Sequence, residues 1–154
     1  MSFGQGINVT PLQLVTAVSA IANEGVLMQP RIIAKTVDTN TGSVTTPEPV
    51  TVRQVVSKKT ANEVLEMLDY AVSDGTGKYA DVKGYSIGGK SGTSENLGKG
   101  DGTYVASFIG LSPTVNTQVV VLVALYNPQG KSFQGGEIAG PVVAQILTEI
   151  LPYI

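Results

Sequence analysis

Residues Gln118 to Tyr126 read QVVVLVALY, and everything after the first position is apolar or aromatic. Seven consecutive apolar residues, Val119 to Leu125, are far too few to cross a bilayer. The run is rich in β-branched residues, so it reads as a strand. Strands with one wet face alternate apolar and polar residues, and this one does not. It therefore predicts a central strand covered on both faces, inside a layered domain. A chain of 154 residues, 42% hydrophobic and 14% charged, is long enough to bury one ordinary core. Such a composition excludes a disordered tail.

Helices to cover that strand can be read from caps and periodicity. Thr10-Pro11-Leu12-Gln13 offers an N-cap hydroxyl, a proline at the first helical position and a glutamine three residues on. Leu14, Val18 and Ile21 follow at helical spacing, and Gly25 marks the stop. Ser57 caps a second helix whose apolar stripe is Ala61, Val64, Leu65, Leu68, Ala71 and Val72, ending at Asp74-Gly75-Thr76-Gly77. A third carries Pro141 in its first turn and buries Val142, Val143, Ile146, Leu147, Ile150 and Leu151. Between the first two helices, Arg31 to Val37 and Val50 to Val56 predict a β-ribbon with a long connection. Tyr85 to Thr93 and Tyr104 to Leu111 predict two further strands before the apolar run. Short links between successive strands favour antiparallel pairing. The expected fold class is α+β, an antiparallel sheet with packed helices.

Composition narrows the chemistry. The chain has no Cys and no His, which removes thiolate nucleophiles, Ser-His-Asp triads and nearly every zinc site. A formal net charge of −2 implies no nucleic-acid partner. The N-terminal stretch Met1 to Thr10 has no apolar signal-peptide core, and no membrane segment is visible in these residues. Phe3-Gly4-Gln5-Gly6 reads as the middle of a domain rather than its beginning.

One motif invites a wrong turn. Gly84-Tyr85-Ser86-Ile87-Gly88-Gly89-Lys90-Ser91 fits the P-loop pattern letter for letter. A P-loop needs a buried strand before it and a helix after it, whose N-terminus holds phosphate. Here Lys78 to Lys83 is polar, and Gly92 to Gly102 holds four glycines with no apolar period. A nucleotide binder is thus a poor alternative. The same residues also read as Lys90-Ser91-Gly92-Thr93 on a strand edge, a cation and two hydroxyls beside a position with no side chain. Alternation puts Lys90 and Gly92 on one face, Ser91 and Thr93 on the other. Such an edge can accept an extended peptide. A plain surface strand with a solvated lysine explains the tetrapeptide equally well in isolation.

The order of blocks along the whole chain decides between these readings. Gly4-Gln5-Gly6-Ile7-Asn8-Val9-Thr10-Pro11-Leu12-Gln13-Leu14, Ala20 to Val26, Asp74-Gly75-Thr76-Gly77, Gly88 to Ser94, Ser107-Phe108-Ile109-Gly110, Asn127-Pro128 and Gly136 to Val142 follow one another. In that order and spacing the chain resembles the C-terminal half of the transpeptidase domain of class B penicillin-binding proteins, in the manner of division or sporulation members. The resemblance implies a partial penicillin-binding/β-lactamase-like transpeptidase fold, with residues 1–154 forming the C-terminal portion of one domain. It implies a serine-type D,D-transpeptidase that cross-links peptidoglycan stem peptides and is trapped by β-lactams, with no cofactor or metal. The partners implied are the stem peptide, β-lactams and the missing N-terminal half of the domain. The location implied is the extracytoplasmic face of a bacterial membrane.

By the same resemblance Lys90 and Thr93 are catalytic, and Ser91, Gly92, Thr93 and Ser94 bind substrate. Lys90 would supply positive charge near the substrate carboxylate and the proton relay, and the Ser91 and Thr93 hydroxyls would bind that carboxylate. The Thr93 N–H would be one oxyanion donor, and the loop Leu97 to Gly102 a rim of the cleft. The nucleophile of the family lies in Ser-x-x-Lys, and no such tetrapeptide occurs here; Ser57 is followed at the fourth position by Thr60. Ser94-Glu95-Asn96 spells the second motif, Ser-x-Asn, on the wrong side of Lys90. The chain alone is expected to be inactive. The remaining alternative is a non-catalytic peptide- or protein-binding module of the same fold.

Overall fold

The structure is a computed structural model that describes residues 7–95 and 103–154. The loop Leu97 to Gly102, Asn96 of the Ser-x-Asn match and the first six residues lie outside the described residues. Helix α1 (Pro11–Ala22) starts on the capping box read from sequence, with Thr10 accepting from the Gln13 N–H and Gln13 accepting from the Thr10 N–H. Helix α2 (Lys58–Ser73) starts on Ser57, whose hydroxyl accepts from the Thr60 N–H. Both starts are local signals, and both hold.

The ribbon between the helices is built differently from the expectation. Strand β1 (Val26–Met28) pairs antiparallel with β4 (Thr51–Gln54), while β2 (Thr36–Val37) and β3 (Val44–Thr45) form a separate hairpin. Residues 31–35 are not strand. The sequence reading missed β1 because it is three residues long and directly follows Gly25, whose φ of +82° turns the chain out of α1.

The main sheet is antiparallel, ordered β5-β6-β7, from β5 (Gly88–Glu95), β6 (Tyr104–Ser112) and β7 (Val119–Tyr126). Here the first expectation needs correction. Among the described residues β6 is central and β7 is an edge strand. Val119 to Leu125 are half-buried rather than buried. Apolar residues of both parities still have partners. Val119, Val121, Val123 and Leu125 pack on the core with helix α4 (Gly140–Ile150), and α1 packs on β7 from the other side.

The core lies on the α4 face of the sheet. It joins Phe108 of β6, Val143 and Leu147 of α4, Val72 of α2, and Ala80, Val82 and Ile87 from the connection into β5. Val142, expected inside, is 40% exposed; α4 turns Val143 and Leu147 inward instead. β5 begins at Gly88 rather than Tyr85, because Gly84 takes a φ of +90°, the Tyr85 N–H donates to the Val82 carbonyl, and Ser86 is held by side chains. Asp69 of α2 accepts from the hydroxyls of Ser86 (3.0 Å) and Thr114 (3.1 Å), and Ser112 donates to the Ser86 carbonyl.

Candidate active site

The free edge of β5 is where the singled-out residues fall. β6 pairs with β5 along its whole length, from Gly88 opposite Leu111 to Glu95 opposite Tyr104. No strand occupies the other edge among the described residues. Helix α2 covers the start of that edge, with the Leu68 Cβ 3.2 Å from where a Gly88 Cβ would sit. Gly88 and Gly89 are buried, Lys90 is exposed, and Ser91 to Ser94 are half-buried. The edge therefore opens at Lys90.

Strand alternation puts Gly89, Ser91 and Thr93 on the face of Phe108, and Lys90, Gly92 and Ser94 on the opposite face. The Lys90 Nζ bends back to donate to the Ser91 carbonyl at 2.9 Å. A carbonyl free to take a side-chain donor faces the open edge rather than β6. Two residues on, the peptide groups of Thr93 face the same way. An ammonium, two hydroxyls and an edge N–H are thus brought to one strip of strand.

Glycines keep this strip narrow. A Cβ on Gly89 would lie 2.6 Å from the Phe108 ring, and one on Gly92 would lie 2.6 Å from the Ser107 hydroxyl. The Thr93 hydroxyl accepts from the Gly135 N–H at 3.0 Å. Sequence reasoning missed Gly135: it lies 42 positions from Thr93, and no local pattern signals the contact.

The strand geometry disposes of the P-loop match. After Lys90 and Ser91 the chain continues as β5 to Glu95, so no helix N-terminus faces a phosphate there. A concavity of about 720 Å3 lies elsewhere, between α1, α2 and the loop after β6, beside Lys58, Leu65, Asp69 and Thr114. None of the residues lining it belongs to β5. It does not include the open edge.

The Lys-Ser-Gly-Thr strip thus lies on the open edge of a three-stranded antiparallel sheet backed by helices. Comparison with known proteins gives the family. Residues 1–148 match the family model of the penicillin binding protein transpeptidase domain, and the chain belongs to that family. It is 39% identical to stage V sporulation protein D of Bacillus subtilis over 98% of its own length and 24% of that protein's. It is 35% identical to peptidoglycan D,D-transpeptidase FtsI of Buchnera aphidicola, over 98% of this chain and 26% of that one. Among solved structures, penicillin binding protein 3 of Mycobacterium tuberculosis, complexed with aztreonam, superposes with a TM-score of 0.83. That match is 35% identical and covers 97% of this chain and 36% of the other. The chain thus spans about a quarter of the length of these two curated relatives. The fold is α+β, as the sequence implied.

Proposed function

We propose that these residues form the C-terminal portion of a D,D-transpeptidase domain that cross-links peptidoglycan stem peptides at the extracytoplasmic face of a bacterial membrane. The observation that carries the reading is the open β5 edge, which presents Lys90, Ser91, Gly92 and Thr93 in a chain of this family. The stem peptide lies along that edge as an added strand. The Ser91 and Thr93 hydroxyls bind its terminal carboxylate, and the Lys90 ammonium supplies charge beside it. Gly92 and Ser94 flank the peptide, and the Thr93 N–H stabilises the oxyanion. The nucleophilic serine and its lysine come from residues outside this segment, since no Ser-x-x-Lys is present. A β-lactam mimics the acyl donor and stays on that serine.

The test is covalent labelling of the complete transpeptidase by benzylpenicillin, followed by mass spectrometry. One adduct per chain is expected, on a residue upstream of this segment. Lys90→Ala removes a charge-assisted hydrogen bond, so labelling should slow by roughly 10- to 150-fold. An unchanged rate in that variant would remove Lys90 from the site.

A further inference from the structure

The segment Phe133 to Glu137 has a structural relation to the site that the motif itself does not contain. It crosses the Phe108 face of β5 and β6 just beneath the open edge. The Phe133 ring stacks on Tyr104 of β6 with centroids 4.3 Å apart. Ser132 donates to Glu137 at 2.6 Å and accepts from the Gln134 N–H at 3.2 Å, which fixes the turn into the short helix α3 (Gly135–Ile138). Gly135 then sits flat on the strands. A Cβ there would run into the Gly92 and Ser107 carbonyl oxygens and come within 2.9 Å of the Ser107 N. No residue with a side chain can take this seat without moving the strand. In it, the Gly135 N–H donates to the Thr93 hydroxyl at 3.0 Å.

We propose that Gly135 is a positioning residue that sets the Thr93 hydroxyl as a donor toward substrate. The inference rests on the reading of Thr93 as a contact to the substrate carboxylate. A hydroxyl has one proton and two acceptor lone pairs. With one lone pair held by a fixed N–H, the proton is turned away from Gly135, and the rotamer is locked. The donated hydrogen bond also polarises the O–H and strengthens its own donation. A carboxylate on the open edge then meets a donor that needs no reorientation.

A double-mutant cycle in the complete transpeptidase tests this, read as the acylation rate by benzylpenicillin. Thr93→Val keeps the shape and removes the hydroxyl; Thr93→Ser restores it. Phe133→Ala removes the Tyr104 stack and loosens the segment that seats Gly135; it should slow acylation about tenfold when position 93 is Thr or Ser, the size of one lost hydrogen bond. With Val at 93 the same change should cost less than about twofold, because Gly135 and Thr93 act as one unit. The benzylpenicillin methyl ester, which has no carboxylate, should show no tenfold loss in any background. Equal losses with Thr and with Val would make Gly135 merely structural and overturn the proposal, while leaving Thr93 a substrate contact. No effect of Thr93→Val on the free acid would overturn both readings.

Discussion

Phe108 is the side chain around which the small residues near the site are arranged. It is fully buried at the middle of β6. A Cβ on Gly77 would lie 3.2 Å from its Cζ, and one on Gly89 would lie 2.6 Å from its Cε1. Two glycines from different connections thus make room for one ring. Phe108→Ala should destabilise the fold by about 3–5 kcal/mol, since the cavity left is flanked by a backbone that cannot collapse onto it. Gly89→Ala should cost about 1–3 kcal/mol by overpacking. Both are read by urea unfolding, and a larger loss for Gly89→Ala than for Phe108→Ala would contradict this packing. Lys90, Ser91, Gly92 and Thr93 were legible as a motif because they are adjacent in the chain. The reason for Gly89 and the role of Gly135 were not legible, because their partners lie 19 and 42 positions away.

At the scale of elements, the same division holds. The starts of α1 and α2 depend on residues three apart and were readable from the sequence. The pairing of β1 with β4 depends on residues 23 to 28 positions apart, and nothing local announces it. The β2–β3 hairpin is local again. Its turn is fixed by Asp38, whose carboxylate accepts from the Asn40 N–H at 2.8 Å and the Thr41 N–H at 3.1 Å. The Thr41 N–H first, then that of Asn40, hold the Asp38 carboxyl below its ordinary value of 3.8. A carboxyl with a lowered folded pKa stabilises the turn above its unfolded pKa and loses that contribution as pH falls through the folded one. The two hydrogen bonds to the carboxylate should therefore persist at pH 3.8 and be lost only below it. The amide shifts of Asn40 and Thr41, followed by NMR down to pH 2, should titrate together with a midpoint under 3.8. A midpoint at or above that value would mean the two N–H groups do not hold the carboxylate in solution.

For the whole molecule, the all-apolar β7 poses the sharpest question. Its sequence asks for cover on both faces and for neighbours on both edges, as in a central strand. It has α4 on one face, α1 on part of the other, and β6 on one edge. Leu12 of α1 is 62% exposed, and most of that helix's apolar stripe is only half-buried. Among the described residues a strand coded as central thus stands at an edge. That edge and the half-covered apolar face are together a template for association. Prepared by itself, this polypeptide should therefore bind a hydrophobic dye and scatter light as more than a monomer. Adding the upstream portion of the domain should suppress both signals. On the proposed function the same preparation should gain no mass from benzylpenicillin, since its sequence holds no Ser-x-x-Lys. A monodisperse monomer that leaves the dye dark would show that the face is already closed. A stoichiometric adduct on this chain alone would place the nucleophile inside it and overturn that part of the proposed function.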